Sequence, residues 1–191
     1  MAEATRRDAL RRGVLVGGAA FSAAALPGLV AAGRALGQEA DTSSGDAGLV
    51  EGTINFEQEA VLVYKTGAES GILGPTASVA KLFQSQEQQH ADLLIKTIKR
   101  LGAPPPPLPL PEDVPGLSEV KTEQQFLAFA VKLENQAIAT YSDAIMNLQD
   151  PALMKPMAQI MANEGQHLVV LRQALGSDPV PSATPTGLEK S

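Results

Sequence analysis

The chain's two histidines both sit in a Glu-x-x-His sequence, Glu87-Gln88-Gln89-His90 and Glu164-Gly165-Gln166-His167. A three-residue spacing puts both side chains on one face of an α-helix, one turn apart, which is a geometry for gripping a metal ion. Thirty residues before each of these glutamates stands another, Glu57 and Glu134. Seven residues after each of those comes a tyrosine, Tyr64 and Tyr141, and the chain has no other tyrosine. All four pairs (Glu57/Glu134, Tyr64/Tyr141, Glu87/Glu164, His90/His167) are offset by 77 residues. The chain therefore reads as a duplicated pair of helices whose repeat is carried by ligand-type residues.

Hydrophobic periodicity places those residues on the inner faces of four helices. The first is expected from Ile54 to Ser70, with Glu57, Ala60, Val61 and Tyr64 on one stripe, stopping at the Gly71 to Gly74-Pro75 segment. The second runs from Thr76 to Leu101, and Phe83, Glu87, His90 and Leu94 share its stripe. Thr122-x-x-Gln125 has the form of a capping box. It opens a third helix that reaches Leu148 with Phe126, Ala130, Glu134, Ile138 and Tyr141 inward. Asp150-Pro151 caps and opens the fourth, Pro156 is expected to separate its first turn from the rest, and Gly176 closes it. Between the second and third helices, Ala103 to Pro111 includes four consecutive prolines and must be extended and stiff. With the turn at Pro115-Gly116, it is long enough to cross from one end of a bundle to the other.

The N-terminus reads differently. Arg6, Arg7, Arg11 and Arg12 form a basic head, residues 13–33 carry no charge, and small residues come after Arg34. That is the pattern of a signal sequence, with Ala35-Leu36-Gly37 as one small-x-small cleavage site and Ala23-Ala24-Ala25 as another. Thr5-Arg6-Arg7-Asp8-Ala9-Leu10-Arg11 resembles a twin-arginine export signal, with Ala9 where that motif usually has phenylalanine. The uncharged run is also long enough for a membrane anchor. The expected organisation is 1–37 signal peptide or anchor, 38–52 flexible linker, 53–176 helical bundle and 177–191 disordered tail. The protein is expected to be exported, to the periplasm or cell envelope, touching membrane only through an uncleaved N-terminal segment.

Five arginines against Glu3 and Asp8 give residues 1–37 a charge of +3, which leaves −9 of the net −6 on the body. An acidic body argues against nucleic acid as a partner. The chain has no cysteine. Disulfides and thiolate metal sites are therefore excluded, and any metal must be held by oxygen and nitrogen.

Glu57-Gln-x-Ala60-Val61-x-x-Tyr64, Glu87-x-x-His90, Leu133-Glu134-Asn135 and Glu164-Gly-x-His167-x-x-x-Leu171 resemble the exported bacterial ferritin-like domain proteins, over residues 55–176. The resemblance implies an all-α, ferritin-like four-helix bundle with a long Pro-rich crossover between helices 2 and 3. It also implies two iron or manganese ions, with Glu57 and His90 terminal on one, Glu134 and His167 terminal on the other, and Glu87 and Glu164 bridging. Tyr64 and Tyr141 resemble the family's tyrosine that hydrogen-bonds a ligand or is oxidised. Four carboxylates would neutralise two divalent ions in a dry interior, and oxygen-rich sites suit iron or manganese. The partners so implied are O2 or peroxide and an external electron donor.

Glu59 breaks the repeat and is expected to face solvent, and Met154, Met157 and Met161 are read as core filler. The implied functions are metal-dependent oxidation or iron handling, or a non-catalytic envelope bundle with a structural or absent metal site. A mineralising cage is disfavoured, because nothing after Leu175 has the pattern of a short fifth helix.

Overall fold

The computed structural model describes residues 42–188, with side chains from residue 45 onward. The N-terminal signal or anchor expected at 1–37 lies outside the described residues, as does the start of the linker. Four helices account for most of the described chain: α1 (Thr42–Glu69), α2 (Ala77–Arg100), α3 (Glu123–Asn147) and α4 (Pro151–Leu175). Among the described residues there is no strand, and no helix is long and apolar enough to cross a membrane.

Two apolar clusters mark the two ends of the bundle. One gathers Val50 and Ile54 of α1, Leu94 and Ile98 of α2, Tyr141 and Leu148 of α3, and Leu153 and Met157 of α4. The other gathers Val63 and Tyr64 of α1, Ala80 and Phe83 of α2, Phe126 and Ala130 of α3, and Leu168 and Leu171 of α4. The order of these residues in each helix gives its direction: α1 and α4 run one way, α2 and α3 the other. Leu101 and Ala103, at the end of α2, pack into the first cluster, whereas Val114 and Leu117, just before α3, belong to the second. The Pro-rich segment therefore traverses the whole bundle, as its composition predicted. Short 3-10 turns at Pro111–Asp113 and Leu117–Glu119 help it turn, with Gly116 at φ 82°, a conformation that costs glycine least.

Helix ends obey their local chemistry. Thr122 Oγ1 accepts the Gln125 N–H at 3.2 Å, while Gln125 Oε1 accepts the Lys121 N–H at 2.8 Å, one residue earlier than a reciprocal capping box requires. Asp150 Oδ1 caps α4 through the Ala152 N–H at 2.9 Å. The expected break at Pro156 does not occur; α4 is continuous through it. A proline so near the start removes only one intrahelical bond, to the Ala152 carbonyl, and packing of Leu153, Met157 and Ile160 holds the turn in place.

Two further expectations are corrected. Residues 42–52, read as part of a flexible linker, are the first three turns of α1. Their glycines and serines mask a stripe in which Asp46, Val50, Thr53 and Ile54 are buried, and Asp46 accepts the Gln149 and Asp150 N–H groups at 2.8 and 2.9 Å. That carboxylate ties the start of α1 to the turn between α3 and α4. The tail, expected to be disordered and unpacked, returns along α3 and α4, where Gly187 is buried and lies so close to the Asn135 carbonyl that a side chain would not fit. Tail residues Pro179 and Pro185 line a partly open pocket of ≈ 100 Å³ against Ile138, Leu168 and Arg172.

Candidate metal centre

Between the two apolar clusters lies a polar layer to which every helix contributes. Glu57 comes from α1, Glu87 and His90 from α2, Glu134 from α3, and Glu164 and His167 from α4. The four carboxylates and His167 are each about 1% exposed, whereas His90 keeps 12% of its side chain open to solvent. All six residues predicted from the repeat are thus brought together. Glu59 is not among them; half-buried rather than solvent-facing, it sits near Asp113 of the crossover, and burial together with that like charge raises its pKa.

The arrangement is two overlapping clusters. Glu57, Glu87, His90 and Glu164 can each point one ligand atom at a common centre, and so can Glu87, Glu134, Glu164 and His167. Glu87 and Glu164 belong to both. His90 Nδ1 lies 3.3 Å from Glu57 Oε2, 3.0 Å from Glu87 Oε2 and 3.0 Å from Glu164 Oε1. His167 Nδ1 lies 3.0 Å from Glu87 Oε1, 3.4 Å from Glu134 Oε1 and 3.2 Å from Glu164 Oε2. Each shared glutamate therefore offers one oxygen to each imidazole.

Hydrogen bonding alone does not satisfy this crowd. A single Nδ1–H cannot serve three oxygens, and Glu57 Oε2, Glu87 Oε1, both Glu164 oxygens and His167 Nδ1 are buried without an aligned hydrogen bond. Buried polar atoms in that condition cost about 1–3 kcal/mol each, more when charged. Divalent cations would satisfy them, and a donor set of carboxylate oxygens with two imidazoles is compatible with a metal site.

Without metal, protons compensate. Burial alone would lower the histidine pKa values, yet the carboxylates of Glu164, Glu57 and Glu87 push His90 up to about 12. Those of Glu134, Glu164 and Glu87 do the same for His167, also to about 12. Burial raises Glu57 and Glu134 well above the usual carboxylate range, helped by their carboxylate neighbours and opposed by the imidazoles. Burial would raise Glu164 too, but bonds from His167 and His90 hold it at about 2.

The surrounding shell obeys the same duplication, crosswise. Tyr64 Oη donates to Glu134 Oε1 and Tyr141 Oη donates to Glu57 Oε1, so each tyrosine serves the glutamate of the other half. Burial, and then the nearby carboxylates, raise both phenols well above their usual range. The outer nitrogens are crossed as well: His90 Nε2 lies 3.1 Å from Asn163 Oδ1, and His167 Nε2 lies 2.8 Å from Gln86 Oε1. Sequence reasoning passed over these two amides. Their signal was available, since Gln86 and Asn163 obey the same 77-residue offset and immediately precede Glu87 and Glu164. Phe83 stacks on His167 with ring centroids 4.0 Å apart, and Tyr64 meets Phe83 and Phe126 edge-on, which keeps that side of the layer dry.

Comparison with known proteins adds the family. Residues 45–177 match the family model described as ferritin-like domain. No curated protein matches the chain significantly. Among solved structures, the crystal structure of a conserved hypothetical protein, rv2844, from Mycobacterium tuberculosis is similar, with a TM-score of 0.60 at 14% identity, covering 76% of this chain and 100% of that one. At that identity the likeness concerns the fold.

Proposed function

The chain belongs to the ferritin-like domain family, and from that premise we propose that its buried layer holds a dinuclear iron or manganese centre used in oxidation with O2 or peroxide, or in iron handling. One observation carries the reading: Glu87 and Glu164 each turn one oxygen to His90 and the other to His167, the disposition of two bridging ligands. Glu57 with His90 would complete one ion's ligands, and Glu134 with His167 the other's. When bound, such ions supply electrons to O2 or peroxide and a Lewis-acidic anchor for oxygen.

The chain's own contribution is positioning and exclusion of water. Tyr141 and Tyr64 orient Glu57 and Glu134 through their hydroxyls and hold a proton at Oη beside each carboxylate. Phe83 and Phe126 line the dry side, while the partial exposure of His90 leaves the α2 side as the route for small molecules. Electrons would come from an external donor, because a chain without cysteine carries no cluster of its own. Export by a twin-arginine route, which carries folded proteins, is part of the same proposal and rests on Arg6 and Arg7.

The test is metal analysis of protein from its native compartment, then anaerobic addition of Fe(II) and the optical spectrum after admitting air. Two iron or manganese ions per chain and an oxidation-dependent absorption band are expected. Fewer than one ion per chain under saturating Fe(II) and Mn(II) would refute the centre.

A further inference from the structure

Helices α2 and α4 are not joined by close backbone packing; α1 lies along α2, α3 along α4, and α1 meets α3. Across the α2–α4 seam run two imidazole-amide contacts, His90 Nε2 with Asn163 Oδ1 at 3.1 Å and His167 Nε2 with Gln86 Oε1 at 2.8 Å. On each helix the amide precedes a shared glutamate by one residue, so it projects about 100° away from it, toward the neighbouring helix. Gln86 lies one turn before His90 on the same helix, yet its oxygen goes to His167 instead.

We infer that Gln86 and Asn163 are crossed positioning residues, each fixing which nitrogen of the opposite half's histidine faces the metal layer. This inference rests on the dinuclear reading. A neutral imidazole carries its proton on either nitrogen, and only one of the two forms leaves the Nδ1 lone pair free for a metal. An amide oxygen can only accept, so an oxygen set against Nε2 selects the Nε2–H form and holds the ring plane in line with the cluster. Both amides are partly exposed while the carboxylates are sealed, so the lock sits on the solvent side, at the seam. The crossing has a specific consequence. Gln86 serves the ion held by Glu134 and His167, and Asn163 serves the ion held by Glu57 and His90. Each ion's affinity thus depends on an amide from the half that does not supply its terminal ligands.

Mn(II) titration by calorimetry tests this in wild type, Gln86→Met and Asn163→Leu. Loss of an outer hydrogen bond to a ligand histidine typically weakens metal about 10–100-fold. That loss is expected for one Mn(II) in each variant, with Gln86→Glu and Asn163→Asp restoring wild-type affinity or better, because a carboxylate also accepts from Nε2–H. A double-mutant cycle reads the crossing. Gln86→Met is expected to cost nothing further on top of His167→Ala, and its full factor on top of His90→Ala; Asn163→Leu does the reverse. A merely structural role would act equally in both backgrounds, which overturns the inference. Wild-type Mn(II) affinity in both amide variants overturns it too, and leaves the dinuclear reading standing. Absence of Mn(II) and Fe(II) uptake by wild type overturns both, and is read on a different sample.

Discussion

In metal-free protein, stability should fall steeply as pH rises through neutrality, and metal should abolish that fall. His90 and His167, ordinarily near 6.5, are held at about 12 in the fold. A raised histidine pKa stabilises fully below the unfolded value, and the contribution is lost as pH climbs from 6.5 toward 12. Over that window the folded chain keeps two protons that the unfolded chain has released, at about 1.4 kcal/mol per proton per pH unit, or about 2.7 kcal/mol for both. Glu57 and Glu134 add to the same slope near its acidic end, because burial raises them and the fold keeps their protons after the unfolded chain has ionised. Glu164, held at about 2, stabilises above the ordinary carboxylate value and loses that only in acid, so it does not alter the slope here. The unfolded imidazoles are still half-protonated at pH 6.5, so the first pH unit costs about 2 kcal/mol rather than the full 2.7; at about 4 °C per kcal/mol for a domain of this size, the metal-free melting temperature should drop by about 8 °C between pH 6.5 and 7.5.

Divalent ions bound at the proposed centre would replace these protons, so their stabilising effect should grow with pH. Scanning calorimetry of chelator-treated protein at pH 5.5, 6.5, 7.5 and 8.5, with and without Mn(II), measures both. A metal-free melting temperature that is flat or rising from pH 6.5 to 8.5, or a Mn(II) increment larger at pH 5.5 than at 7.5, would show that the imidazoles are not proton-loaded as this geometry requires.

The other predictions concern individual side chains and the paired arginines of the N-terminus. Glu164→Ala would take an oxygen from each ion of the proposed centre and should abolish most of the Mn(II) increment in melting temperature, whereas Glu59→Ala, off the cluster, should leave it intact. Asp46→Ala breaks two backbone bonds to a carboxylate and should destabilise the fold by about 1.5–3 kcal/mol per bond, measured by urea unfolding. Gly67→Ala drives a Cβ into the Phe126 ring and should cost about 1–3 kcal/mol through overpacking; an unchanged urea midpoint would mean the ring yields freely. Changing Arg6 and Arg7 together to lysine should leave the precursor in the cytoplasm, as fractionation and immunoblotting would show.

The buried polar layer was legible because eight chemically distinctive residues, four glutamates, two histidines and two tyrosines, recur at one offset. Helix ends were legible where a single local interaction decides them, as at Thr122, Asp150 and Gly176. The start of α1 was not. Gly45, Gly48 and Gly52 depress helix propensity there, and what overrides them is tertiary: Asp46 reaching residues more than a hundred positions away, with Val50 and Ile54 sealing one end of the core. The tail was misread for a related reason. Its Pro, Ser and Thr composition has no helical or strand period, yet an irregular segment can pack when a glycine such as Gly187 lets backbone approach backbone. The amides at 86 and 163 were given no role because Gln and Asn are common on helices, and only the offset distinguishes these two.

The crossover and the crossed hydrogen bonds are consequences of one geometric fact. Duplicated helix pairs that share a site between Glu87 and Glu164 must be related by a two-fold rotation that exchanges α1 with α3 and α2 with α4. Since α1 and α3 run in opposite directions, as the two apolar clusters establish, that axis lies perpendicular to the helices. A perpendicular two-fold reverses the starting end: α1 begins at the Val50–Ile54 end, so α3 must begin at the other. But α2 finishes at the first end, beside Ile98. The chain therefore cannot turn directly from α2 into α3 and must travel the length of the bundle, which the stiff run from Pro104 to Pro107 and the residues after it accomplish. The same axis carries Tyr64 onto Tyr141 and Gln86 onto Asn163. When one of these residues reaches across the axis, its copy must reach back, so Glu57 is held by Tyr141, Glu134 by Tyr64, and each histidine by the amide of the other half. Neither half contains a complete set of hydrogen-bond partners for its own glutamates and histidine, and the buried polar layer exists only where the two halves meet.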